Sequence, residues 1–165
     1  MATDYYLQVD GLKGESLDSE HKDWIEILSY SHAISQPASA TANSAGGATG
    51  GRCKHEDFVI TKYVDLASPK LYEMCSSGKH IAKVVVELMR SSGDSRVKYM
   101  AIEMDQVIIA HVAPGASSGG DLPTEMVSFN YGIIKWTYTQ QKRTDGSKGG
   151  NVTGGWSLVE NKTAA

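Results

Sequence analysis

Two cysteines, Cys53 and Cys75, are all the thiols in the chain. That is too few for the disulfide framework of a small secreted domain, and both are expected to be reduced. Long apolar runs are missing too: nothing approaches the ~20 residues that a membrane-spanning helix needs. Neither sign of charge dominates, since 16 Lys and Arg stand against 19 Asp and Glu for a net −3. An electrostatic grip on nucleic acid or an anionic membrane is therefore not expected. Met1–Tyr6 has no basic region leading into an apolar stretch, so the expectation is folding in the cytoplasm, with export left to a route that accepts folded protein. Without a signal segment, the sequon matches Asn151-Val152-Thr153 and Asn161-Lys162-Thr163 are read as chance.

A reactive centre is the largest absence. Gly46-Gly47-Ala48-Thr49-Gly50-Gly51-Arg52-Cys53 nearly spells a phosphate-binding loop. It fails where Arg52 replaces the phosphate-reaching Lys and Cys53 the magnesium-binding Ser or Thr, and a strand pattern follows it instead of an anion-holding helix N-terminus. The five histidines, His21, His32, His55, His80 and His111, are scattered over separate segments. Cys53-Lys54-His55 is a metal pair without the third or fourth ligand that zinc requires. No Gly-x-Ser-x-Gly elbow occurs, and Cys75 sits near the end of a helix, where the dipole disfavours a thiolate. Glu15, Asp18, Glu20 and Asp23 read as a solvated cluster bridged to Lys13 and Lys22. The expectation is no catalytic residue, no metal and no cofactor.

What the chain has in quantity is alternation. Tyr5–Val9 is a strand with Tyr5, Leu7 and Val9 on one face. Trp24–Ile34 continues the period of two, with Trp24, Glu26, Leu28, Tyr30, His32 and Ile34 on one side. Ile25 and Ile27, followed by the small residues Ser29, Ser31, Ala33 and Ser35, lie on the other. Bulk on one face and small polar groups on the other suit a sheet with one core face and one wet face. Phe58–Val64, Ala82–Met89 and Val97–Val112 are further strands, the last two joined by the turn Ser91–Ser95. Met126–Thr139 and Gly154–Val159 complete the set. Met100, Ile102 and Met104 share a parity that Val107 and Ile109 reverse, so a bulge or sheet-switching bend is expected near Asp105-Gln106. A similar change of face follows Gly132. Long strands that change face are what bending a sheet into a barrel requires.

One helix signal interrupts the strands. Ser68–Ser77 has Ser68 as the expected N-cap, Pro69 in the first turn, a Leu71/Met74/Cys75 stripe and Gly78 as terminator. Residues 36–52 are Ala, Ser, Thr, Asn and Gly without periodicity, an uncommon length of loop inside a compact domain. They are expected to form a protruding, flexible arm of a single domain spanning 1–165, because the flanking segments read as parts of one sheet.

Taken in order, these segments resemble the hemolysin-coregulated protein (Hcp) family, the tube protein of bacterial type VI secretion. The resemblance is carried by Gly14-Glu15-Ser16-Leu17-Asp18-Ser19-Glu20-His21-Lys22, Phe58–Tyr63, Ser68–Leu71 and Cys75–His80. It continues through Pro123–Val127, Lys135–Tyr138 and Gly155–Leu158, and so spans nearly the whole chain. It implies a mainly β protein: a β-barrel of two packed antiparallel sheets with one flanking α-helix, like phage tail-tube proteins. It also implies a homohexamer whose rings stack into a hollow tube, with a contractile sheath, baseplate and spike as partners and small effector proteins in the lumen. Export to the medium or a target cell is implied as well. Residues 36–52 match no fixed motif of the family.

Two surfaces are candidates on this reading. Ser29, Ser31, Ala33 and Ser35 would line the lumen, where small hydroxyl residues leave a pore wide and wet. Ala38, Thr41, Asn43, Ser44, Thr49 and Arg52, on the arm, would make contacts between rings or subunits. The competing reading is a small monomeric ligand- or carbohydrate-binding β-barrel, which needs a concave site with converging aromatics. Trp24, Trp136 and Trp156 are the aromatics for such a site, although their parity favours the core.

Overall fold

The computed structural model describes residues 3–38 and 50–164. In chain order its elements are β1 (Thr3–Val9), β2 (Ile25–Ile27), β3 (Ser29–Ser31), β4 (Ile34–Ser35), β5 (Lys54–His55) and β6 (Phe58–Tyr63). There follow α1 (Ser68–Ser77), β7 (Ile81–Ser92), β8 (Ser95–Gly115), β9 (Thr124–Asn130), β10 (Ile133–Gln141), β11 (Lys148–Ser157) and β12 (Lys162–Thr163). One antiparallel sheet has the order β12-β11-β10-β8-β7-β1-β2. A second has the order β3-β6-β9-β8.

The 21-residue β8 belongs to both sheets. Met100–Asp105 pairs with β10, whereas Ile108–Gly115 pairs with β9. The change of sheet falls at Gln106, whose φ of 55° is positive, and it is the bend that the parity reversal foretells. At the opposite corner β2 leads into β3 through Leu28, whose N–H donates to the Thr61 carbonyl at 2.7 Å. The sheets thus meet along two corners and form a barrel-like layer around one core. Leu7, Ile25, Phe58, Ile60, Val84, Val86, Ile102, Met104, Val127 and Phe129 fill that core, each contributing about 1.5–3 kcal/mol by leaving water.

The Leu28 corner corrects the expectation of one strand from Trp24 to Ile34. That stretch is three strands in three pairings: β2 on β1, β3 on β6, and β4 on β5. Parity inverts across the corner. Ile25 and Ile27 are buried, yet Ser29 and Ser31, of the same parity, are exposed. Tyr30 turns inward instead and stacks on Phe58 with centroids 5.3 Å apart. Met126–Thr139 likewise divides at Gly132, between β9 and β10.

The loop before β2 is built from the motif Gly14–Lys22. A Cβ on Gly14 would stand 2.3 Å from the Trp24 carbonyl oxygen, so only glycine fits there. Buried His21 presents Nδ1 to Asp18 Oδ1 at 2.9 Å and Nε2 to Glu87 Oε2 at 2.7 Å, and its ring stacks on Tyr6. Arg96 joins Asp18, Asp4 and the Tyr6 hydroxyl. Asp18 is therefore a partner of His21 and Arg96, not a solvated neighbour of Lys13 and Lys22.

Helix α1 packs Leu71 and Met74 onto the barrel, and Gly78 ends it in the left-handed conformation, φ 65°. Its N-cap is Ala67, and Ser68 is the first helical residue. The Ser68 hydroxyl does different work. It accepts from the Asp65 N–H at 2.9 Å and donates to Glu125 Oε1 at 2.6 Å. That bond belongs to a network around Lys62, which is fully buried. The Lys62 ammonium donates to Glu125 Oε1 at 2.5 Å, Asp65 Oδ1 at 2.9 Å and the Tyr63 carbonyl at 2.8 Å. The Tyr72 hydroxyl donates to the other Glu125 oxygen. Burial pushes the Glu125 carboxyl up, but the bonds from Lys62, Ser68 and Tyr72 outweigh it and hold the group below its ordinary 4.5.

Removing one ion from such a pair strands the other in low dielectric. Lys62→Met is expected to lower the unfolding free energy by about 3–5 kcal/mol in urea titrations, with most of the loss recovered in Lys62→Met/Glu125→Leu. The depressed carboxyl sets the direction with pH. Its contribution is complete above 4.5 and is lost as the pH falls through the folded value, so the gap between wild type and the double variant should narrow in acid.

Candidate functional site

Three features of the surface remain after the core is accounted for. The first is the pair of terminal strands at the two ends of the larger sheet. At one end β11 pairs with β12 only through Trp156 and Ser157, and beyond Gly155, which accepts from the Ala164 N–H, the outer side of Lys148–Gly154 has no strand beside it among the described residues. At the other end, among the described residues, β2 has β1 as its ladder partner and β3 has β6. Large apolar side chains stand exposed near both ends, Val152 at 72% on β11 and Leu28 at 47% between β2 and β3.

The second feature is the small-residue face. Ser29, Ser31, Ala33 and Ser35 are all solvent-exposed. The alternation holds here: Tyr30 and His32 point the other way, onto Phe58. Ser29 and Ser31 lie opposite Thr61 and Val59 across the β3–β6 ladder, so β6 fixes their positions while both stay exposed among the described residues.

The third is the root of the arm. Ile34 pairs with His55 and Ser35 with Lys54 in the β4–β5 ribbon, and Ala38 bridges to Gly50. The Gly51 N–H donates to the Pro37 carbonyl at 3.1 Å, and the Gln36 side chain donates to the Gly51 carbonyl. Exposed Arg52 lies beside this root. Thr41, Asn43, Ser44 and Thr49 lie outside the described residues.

Where the root meets the barrel, three residues far apart in sequence converge. His32 Nε2 lies 2.6 Å from the Tyr131 hydroxyl, and His55 Nδ1 lies 2.8 Å from it. Burial pushes His32 below its ordinary value, aided by the neighbouring His55, and burial lowers His55 also. Burial raises the Tyr131 phenol, with the Asp57 and Cys53 charges acting in the same direction. Sequence reasoning set the five histidines aside as unrelated. Only long-range pairing of β4, β5, β9 and β10 brings two of them to one phenol.

Beside this cluster opens a cavity of about 510 Å³, lined in part by Ile34, Cys53, His55, Trp136 and Trp156. None of the three tryptophans is fully buried, which corrects the expectation that parity puts them in the core. Trp136 packs against the core from its margin, and Trp24 meets the His21 ring edge-on.

Comparison with known proteins agrees with this architecture. The family described as "Type VI secretion system effector, Hcp" matches residues 6–138. Protein hcp1 of Pseudomonas aeruginosa is 34% identical over 164 residues, covering 99% of this chain and 100% of that protein. The major exported protein of the same species is 27% identical over 159 residues, covering 84% of this chain and 90% of that one. Among solved structures, a type six secretion system protein superposes with a TM-score of 0.92 at 28% identity, covering 99% of this chain and 100% of that one. Hcp1 from Salmonella typhimurium superposes with a TM-score of 0.78, at the same identity and coverage. With its two-sheet barrel, single flanking helix and near-complete match in length, the chain belongs to the Hcp family of type VI secretion proteins.

Proposed function

We propose that this chain is the non-catalytic tube subunit of its secretion system. Copies associate head to tail into a hexameric ring, and rings stack into a hollow tube. The tube carries the spike, is driven by the contractile sheath from the baseplate, and takes small effector proteins through its lumen. The observation that supports this best is the pair of terminal strands at opposite ends of the larger sheet. An edge offers main-chain N–H and C=O groups to a neighbour. Two edges on different sides of one subunit make a heterologous contact, which closes into a ring when its rotation divides a full turn. Exposed Leu28 and Val152 add apolar area where such contacts would form. Subunits carried out in this way leave the cell in the folded state, and the name of the 27%-identical relative, a major exported protein, fits that route.

Within the ring the exposed Ser29, Ser31, Ala33, Ser35 face is assigned to the lumen, where short hydroxyl side chains contact many cargoes without gripping one. The arm, with Ala38 and Arg52 at its base, is assigned to contact between rings. A monomeric binder using the Trp136/Trp156 cavity is the competing reading, and mass separates the two.

Light scattering on the purified protein should give a particle near six times the chain mass of 17.8 kDa, with annular images by electron microscopy. A single 17.8 kDa species at every concentration would overturn the assembly reading. Ser31→Gln, on an exposed position, should leave rings intact but reduce retention of co-expressed effectors; full retention would move the lumen to another face. Deletion of residues 38–50 should spare the ring and impair stacking, scored as tube length in micrographs, and unaltered tubes would remove the arm from the contact.

A further inference from the structure

We propose that Tyr131, held between His32 and His55, is a proton-operated latch that fastens the root of the arm to the barrel and releases it in acid. The two histidines flank the β4–β5 ribbon: His55 lies in β5, and His32 lies in the link between β3 and β4. Tyr131 is buried in the link between β9 and β10, so one phenol ties both sides of the ribbon to the body of the protein.

A phenol has one proton and can give it to one imidazole at a time. Between two neutral rings the Tyr131 hydroxyl donates to the bare nitrogen of one and its oxygen accepts from the N–H of the other, with His32 Nε2 at 2.6 Å and His55 Nδ1 at 2.8 Å. Both bonds are satisfied only while one of the two imidazoles keeps a bare nitrogen toward the phenol.

Protonating both rings breaks the arrangement. His32 Nε2 and His55 Nδ1 are then both donors, so two N–H groups face one phenol oxygen and the buried phenol proton loses its acceptor. Two cationic rings with centroids 6.4 Å apart also repel. The surrounding groups are few. Phe58 and Trp136 are the apolar neighbours. The Glu56 carboxylate favours a charged His32 but is the last-ranked of its influences, and it is engaged by Lys54 at 3.6 Å. The Asp57 carboxylate accepts from Asn130 at 3.1 Å, the Cys53 thiol lies close enough to influence Tyr131, and Arg52 shares the cavity wall with His55.

The sign follows from proton counting. Released imidazoles protonate at their ordinary 6.5, and the latched ones lower. The latched state thus holds fewer protons, is at full strength above 6.5, and weakens as the pH falls below that value.

Hydrogen exchange on the intact protein tests this, after correction for the intrinsic rate of each amide. The reporters are the Gly51 and Glu56 amides, which bond the Pro37 and Ala33 carbonyls. Their protection should drop between about pH 7.5 and about pH 5, the direction that the lowered values of both imidazoles require, with β7 amides unchanged. The His32→Gln/His55→Gln variant should show the same protection at both values, and Tyr131→Phe should lose it at both. Equal protection in the wild type, or an undiminished acid response in the glutamine variant, overturns the proposal. Should a variant fail to fold, ring-nitrogen NMR of the wild type decides: one bare and one protonated nitrogen among His32 Nε2 and His55 Nδ1 near pH 7.5 supports the latch, and two bare nitrogens, two protonated ones, or protonation of either ring above its ordinary value sinks it.

Discussion

The buried Lys62 ammonium is the constraint on which the arrangement of the barrel and its helix depends. An ion of this size is costly to take out of water unless its donors are used. Lys62 uses all three, on Glu125, Asp65 and the Tyr63 carbonyl, with the Ser68 hydroxyl 3.2 Å away. These groups come from β6, the β6–α1 link, the first turn of α1 and β9. No apolar contact would fix four elements with such directionality, because hydrophobic burial has no preferred angle. The network also explains why three motifs far apart in the sequence accompany one another in the family resemblance. Phe58–Tyr63 supplies the ammonium, Ser68–Leu71 the hydroxyl, and Pro123–Val127 the carboxylate.

Much of the fold was legible from parity, and its errors fall where residue type and parity give different answers or where parity runs on through a corner. The Gln106 bend, the split at Gly132 and the Ser91–Ser95 turn all register as breaks in alternation, because side chains must follow the pleat. Lys62 and Glu125 were passed over although parity marked them. Lys62 shares a face with Phe58 and Ile60, and Glu125 with Val127 and Phe129, all buried. Their polar character overrode a correct geometric signal. The corner at Leu28 failed in the reverse way. Alternation runs on through it unbroken in sequence, while Ile27 is buried and Ser29, of the same parity, is exposed, with Tyr30 stacked on Phe58 instead. Ser68 suggested a cap by residue type, yet its hydroxyl serves Glu125, a partner 57 positions away.

The candidate site divides along the same line. The Ser29–Ser35 face could be read as small and polar because it is a local pattern on short strands, and its four residues are exposed. The two edges could only be anticipated in general, since which strands end a sheet is a matter of topology. The His32–Tyr131–His55 cluster was illegible, with separations of 99 and 76 positions to the phenol. Nothing in the spacing of five scattered histidines singles out the pair that one tyrosine will hold.

Polar groups are treated oppositely inside and outside this protein, and the contrast bears on assembly. Among the described residues, no buried side-chain nitrogen or oxygen lacks a hydrogen-bond partner. Lys62 and His21 are each surrounded by groups that use their bonding capacity in full. Main-chain groups along the outer side of Lys148–Gly154 have no such strand partner. A saturated interior resists rearrangement, because any shift leaves a buried ion or hydroxyl unpaired. Among the described residues, the outer side of β11 is one place where main-chain bonding capacity remains, and an incoming edge could take it without disturbing the core. A rigid body with such an edge suits the proposed addition of identical subunits, since each copy must present the same geometry to the next.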